Sequence, residues 1–113
     1  MVFVFIEDGG LSIIENSQEA NVECEGVDVE SEVYEFYDEN GVYLKPIFTK
    51  PNKYKKHLFG LFTSIQSGEF NLVSAPNECE TSFELKLQDV VYINPNKWFK
   101  TKEEILSKYQ NVT

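Results

Sequence analysis

Between Glu15 and Glu39 the chain carries ten carboxylates, Glu15, Glu19, Glu23, Glu25, Asp28, Glu30, Glu32, Glu35, Asp38 and Glu39, and no lysine or arginine. Two such groups can share general acid and base work when burial raises the pKa of one of them. Ten acids crowded on one short segment cannot all be desolvated, so most must be solvated groups of ordinary acidity. No other catalytic constellation accompanies them. His57 is the only histidine and stands among lysines, with no orienting acid or nucleophile beside it in sequence. The chain has no Gly-rich phosphate loop, no HExxH and no CxxC. Asp38-Glu39-Asn40-Gly41 has the outline of a calcium loop, but the spaced ligands before it and the glutamate that should close the coordination are missing. Cys24 and Cys79 are too few for a metal site, and in a reducing compartment they read as small buried apolar groups rather than a disulfide. The expectation is a chain without catalytic residues, metal or cofactor, and not an enzyme.

Charge narrows the partner. Twelve acids and no base fall in residues 1 to 44, while the ten lysines lie between Lys45 and Lys108 with the other seven acids, so about −12 and about +3 give the net −9. Like charges at that density repel and weaken a compact state. An anionic surface disfavours phosphate backbones, and the chain has no arginine for bidentate contacts to phosphate or guanine. Nucleic acid is therefore not the expected partner; a cationic protein is. The opening MVFVFIEDGG is apolar for only six residues and has no basic leader, which fits neither a signal peptide nor a membrane span. The expected location is the cytoplasm, with no membrane contact.

At 113 residues, 42% hydrophobic and 14% aromatic, the chain should form one domain around one core. Val2-Phe3-Val4-Phe5-Ile6 reads as a strand covered on both faces, Glu7-Asp8-Gly9-Gly10 as a turn and Leu11-Ser12-Ile13-Ile14 as its hairpin partner. Ser17 can cap a short helix from about 18 to 24, with Gly26 beyond its end. Val33-Tyr34-Glu35-Phe36-Tyr37 and Val42-Tyr43-Leu44-Lys45-Pro46-Ile47-Phe48 flank Asp38-Glu39-Asn40-Gly41 as a second hairpin. Pro46 has no N–H to give, which places that arm on an edge or at a bulge. Residues 49–56 read as a solvated basic loop, residues 58–65 as a strand, and Gly68 as the turn into a half-buried strand over 69–73, together a third hairpin. Thr81 with Glu84 gives a capping-box spacing, and Phe83, Leu87, Val90 and Val91 fall on one helical face, although Phe83, Leu85 and Leu87 also fit a strand. Thr101 with Glu104 repeats the spacing before a C-terminal helix carrying Ile105, Leu106 and Tyr109. Hairpins first and helices last imply α+β: a mainly antiparallel sheet with two or three short helices.

Glu25-Gly26-Val27-Asp28-Val29-Glu30, leading into the second hairpin and Leu44-Lys45-Pro46-Ile47-Phe48, resembles small bacterial immunity proteins of contact-dependent growth inhibition systems. Asn94-Pro95, Phe99-Lys100-Thr101 and Glu103-Glu104 look similar to the close of such chains. The resemblance implies a cytoplasmic protein that binds one cognate toxin domain and blocks it, nucleases being common targets; the free chain is expected to be a monomer. The residues point the same way, because carboxylates on a rigid hairpin can occupy a basic cleft built for phosphates, and tyrosines suit interface anchors. Along Val33 to Tyr37 side chains alternate, and Glu35 favours Val33, Glu35 and Tyr37 as the outward set with Tyr34 and Phe36 in the core. The expected toxin-binding residues are Glu30, Glu32, Glu35, Tyr37, Asp38, Glu39 and Tyr43. Two alternatives stay open: an adaptor pairing through the Pro46-interrupted strand, and a small enzyme with a carboxylate pair in a pocket.

Overall fold

The computed structural model describes residues 1–79 and 81–110. The apolar run at the start forms β1 (Val2–Ile6), which turns at Gly9, φ +96°, into β2 (Gly10–Ile14), in register Val2 opposite Ile14. A 3₁₀ turn (Ser17–Glu19), capped by Asn16 one residue ahead of the expected Ser17, leads into α1 (Ala20–Glu23), and α2 (Gly26–Glu30) follows where a helix end was expected. The second hairpin is β3 (Tyr34–Asp38) with β4 (Tyr43–Lys50). The chain continues through β5 (Lys53–His57), β6 (Phe62–Gln66) and β7 (Glu69–Ser74), then α3 (Phe83–Gln88), β8 (Tyr92–Ile93) and α4 (Lys102–Gln110). The fold is α+β, as composition and hairpin order imply. Six strands form one sheet in the order β7-β4-β3-β1-β2-β8, antiparallel except for β2 with β8, and β5 and β6 form a separate ribbon.

Alternation along the central strands sends side chains into two cores. Val2, Val4 and Phe36 join Ile14, Leu44 and Phe70 beneath α1 and α2, which contribute Ala20 and Val29. Phe3, Phe5 and Tyr37 meet Phe83, Leu87 and Ile105 of α3 and α4 on the opposite face. The sheet is thus the middle of three layers, which is why β1 can be apolar at every position. Helix wins over strand at 83–88: Ser82 caps it, accepting from the Leu85 amide at 3.4 Å, and Phe83, Leu87 and Val90 are buried while Val91 is exposed. Thr101 accepts from the Glu104 amide at 3.3 Å, the cap expected for the last helix.

The third hairpin differs from its expected form. Residues 53–57 are a strand, residues 58–61 are the turn, and β7 pairs with β4 rather than β6. Pairing that buries nothing leaves no apolar alternation to read, which is why the basic stretch looked like a loop. Gly68 is a joint between two ribbons, since a Cβ there would stand 2.0 Å from the Lys50 carbonyl oxygen. β7 is the sheet's outer strand, and Asn21 covers it like a fragment of a further strand, donating to the Phe70 carbonyl at 2.8 Å and accepting from its amide at 3.0 Å. Among the described residues no helix is long and apolar enough to cross a membrane.

Candidate functional site: an acidic cleft through the sheet

The sheet is split between β3 and β4. These strands pair only at Phe36 with Leu44 and Tyr37 with Tyr43. Continuing that register would set Pro46 opposite Tyr34, and a residue without an N–H cannot extend the ladder there. Pro46 thus marks neither an outer strand nor the bulge, which falls between Phe48 and Lys50. It marks the fork. Beyond it the strands part around a cleft of about 510 Å³, lined by Val29, Tyr34, Pro46 and Phe48 on the α2 side and by Tyr43, Lys45, Cys79 and Thr81 on the α3 side. Glu30, Glu32, Glu35 and Glu78 complete the lining.

Each acid is placed by a different device. Glu30 ends α2 and accepts from the Asn52 side-chain amide at 2.6 Å, while Asn52 also accepts from the Gly68 amide at 2.7 Å, so the ribbon joint is fastened to the helix end. Glu32 has φ +62°. The Glu32 amide donates to Val29 at 3.1 Å and the Val33 amide to Asp28 at 3.0 Å, so Glu32 holds the left-handed position that closes a helix, where glycine is the usual residue. Glu35 faces α3 and pairs with Lys86 at 2.7 Å, both partly exposed; Glu78 pairs with Lys45 at 3.0 Å. The two lysines offset two of the four carboxylates, so Glu30 and Glu32 keep the cleft anionic.

Burial raises the pKa of Tyr34, with Asp28 and Glu25 adding to it. Burial also raises that of Tyr43, where Glu35 and Glu78 push further and Lys45 opposes. Both phenols remain neutral donors at the wall of an anionic cleft.

Of the seven residues expected to meet a partner, Glu30, Glu32, Glu35 and Tyr43 come together here. Asp38 and Glu39 sit at the far end of β3, in the hairpin turn. The Asp38 carboxylate is consumed by that turn, accepting from the amides of Asn40 at 2.8 Å and Val42 at 3.0 Å, and the Glu39 carbonyl accepts from the Tyr109 hydroxyl. The expected outward position of Tyr37 is corrected: it is fully buried, its hydroxyl donates to the Thr81 carbonyl at 2.6 Å, and its ring stands edge-on to Phe5 at 5.4 Å. The face shared by Glu35 and Tyr37 packs against α3, which buries Tyr37 and leaves Glu35 partly exposed, because both sides of the sheet carry helices.

The ten acids also do not form a single row. Glu15 lies at the other end of the sheet from Glu32 and pairs with Lys97 at 3.6 Å, and Glu19 and Glu23 line a separate groove beside Trp98. Phe48 and Glu78 escaped the sequence reading, and Tyr34, assigned there to the core, also lines the cleft; Pro46 was the signal that the sheet opens there, but nothing local ties Glu78 to Glu35.

Among the described residues no three potential metal-ligating side chains converge. No family model, curated protein or solved structure matches the chain.

Proposed function

We propose that the chain is an immunity protein that neutralises a cognate cationic toxin domain, a nuclease of a contact-dependent growth inhibition system, by docking it at the cleft between β3 and β4. The observation that carries the reading is Glu32. Its backbone is held where non-glycine residues cost about 1 kcal/mol or more, at a helix C-terminus where negative charge is disfavoured. Its carboxylate lines the cleft. Local stability would choose glycine, so the glutamate is explained by what it binds.

A basic side chain entering the cleft meets carboxylates from three separate segments, Glu30 and Glu32, Glu35, and Glu78, with phenol donors from Tyr34 and Tyr43 and the ring of Phe48 behind them. Lysine or arginine groups that a nuclease uses for phosphate would find charge and aromatic surface of the complementary kind. The long-range field of a chain with net charge −9 steers such a partner, to rates of about 10⁸ M⁻¹s⁻¹ or higher at low salt. Co-production of the chain with a cationic nuclease toxin domain that it binds tests this: the wild type protects growth, and Glu32→Lys with Glu78→Lys abolishes protection while the variant stays folded. Undiminished protection by that variant contradicts the reading.

A second reading, an adaptor without toxin inhibition, would use the side of β4 beyond Pro46, which β3 leaves unpaired. Under that reading the same double charge reversal leaves complex formation intact.

A further inference from the structure

β5 and β6 project as a two-stranded arm. The molecule measures 58 × 27 × 23 Å with a radius of gyration of 15.8 Å, against about 13 Å for a compact chain of this length. The arm's surface is unlike that of the body. Its tip exposes Leu58, Phe59 and Leu61, with Phe59 entirely in solvent, and a cross-strand pair near the base, Tyr54 opposite Ile65, is more than half exposed. Lys53, Lys55 and Lys56 accompany them, and residues 52–68 contain no acid. Leu58 and Phe59 both have left-handed backbone, φ +50° and +57°, in a turn closed by the Gly60 amide on the His57 carbonyl at 3.2 Å. A turn of this kind favours Asn-Gly. Two large apolar residues are instead held outward against local preference, and such strain is retained where it serves a contact.

We infer that the arm mediates self-association: two copies pair arm against arm, antiparallel, and each tip enters the acidic cleft of the other copy. Three observations converge on a second copy as the occupant. The arm is cationic and apolar-tipped, and the cleft is anionic and part-aromatic, so the chain carries both halves of one contact. The arm from Asn52 to Gly60 spans roughly 26 Å at strand rise, and the cleft lies at its base, where Asn52 is bonded to Glu30. Antiparallel arms of equal length therefore bring each tip to the other's cleft, closing a two-fold dimer. The Tyr54 and Ile65 patch, the second pair of the ladder from the arm's base, then lies beside the apolar tip of the other copy. This inference concerns the free protein and does not rest on a toxin.

Sedimentation velocity and light scattering from low micromolar to near-millimolar concentration test it with no ligand present. The expected result is a concentration-dependent shift from one chain of 13.1 kDa to two. Phe59→Asp should raise the dissociation constant by roughly thirtyfold or more, as loss of a buried aromatic anchor does, and the tip is solvent-exposed in the single chain, so the fold should survive. Cys79 lines the cleft, so Leu61→Cys under mild oxidation should yield a disulfide joining position 61 of one copy to Cys79 of the other, identified by peptide mapping. A chain monomeric throughout, a dimer indifferent to Phe59→Asp, or linkage only between the two positions 61 overturns the inference.

Discussion

Glu32→Gly separates folding from binding at one position. In the folded chain Glu32 has φ +62° and is exposed, closing α2 as the residue after its cap. Removing the Cβ relieves a left-handed penalty of about 1–2 kcal/mol. Removing a negative charge from a helix C-terminus adds about 0.3–1 kcal/mol. The greater freedom of glycine in the unfolded chain takes back about 0.5–1 kcal/mol. The sum favours the variant by about 1–2 kcal/mol, and for a chain of this length an unfolding entropy of about 0.24 kcal/mol/K converts that to a rise in Tm of about 4–8 °C. Differential scanning calorimetry measures the rise, and isothermal titration with the toxin domain should show affinity falling about tenfold or more, as expected for an interfacial charge. A variant that is both more stable and weaker in binding supports the cleft. A less stable variant refutes the backbone reasoning, and unchanged affinity refutes the role of the carboxylate.

Three further outcomes follow from the same geometry. Leu58→Asn with Phe59→Gly installs the residues the arm's turn prefers, so amide exchange in β5 and β6 should slow by about tenfold in dilute solution while self-association disappears; faster exchange would contradict the reading of the turn. Tyr37→Phe deletes the hydroxyl that bonds the Thr81 carbonyl, which should cost about 1–2 kcal/mol by urea titration and leave toxin affinity unchanged; a binding defect would return Tyr37 to the interface. Burial raises the pKa of Tyr34, Tyr37, Tyr43 and Tyr109, and pushes the Cys24 thiol up to about 12. Each group binds its proton more tightly folded than unfolded, so its contribution is complete below the unfolded pKa and is lost as pH climbs towards the folded one. The denaturant midpoint should hold below about pH 8.5 and fall steadily above it; a flat profile to pH 11 would contradict the burial of these groups.

The core strands were legible because burial writes itself into sequence. β1 is apolar at each position since both faces are covered, and Asp38-Glu39-Asn40-Gly41 carries its own turn chemistry, with Gly41 at φ +79°. β5 was not legible: Lys53 to His57 form a strand that buries nothing, so neither periodicity nor apolar content marks it. Tyr37 was misplaced because alternation tells which residues share a face, not whether that face is wet. Glu35 suggested water, and α3 covers it, with Lys86 answering the charge. The cleft itself depends on Pro46 ending a ladder and on Glu78 arriving from a distant loop, and of these only the proline left a trace in the chain.

The most direct measurement is the footprint of the proposed cationic toxin domain on this chain, read as amide chemical-shift changes during a titration. Docking at the cleft predicts changes concentrated at residues 30–35, 43–48 and 78. Changes confined to the lysine-bearing segment from 97 to 108, with the cleft silent, would contradict it.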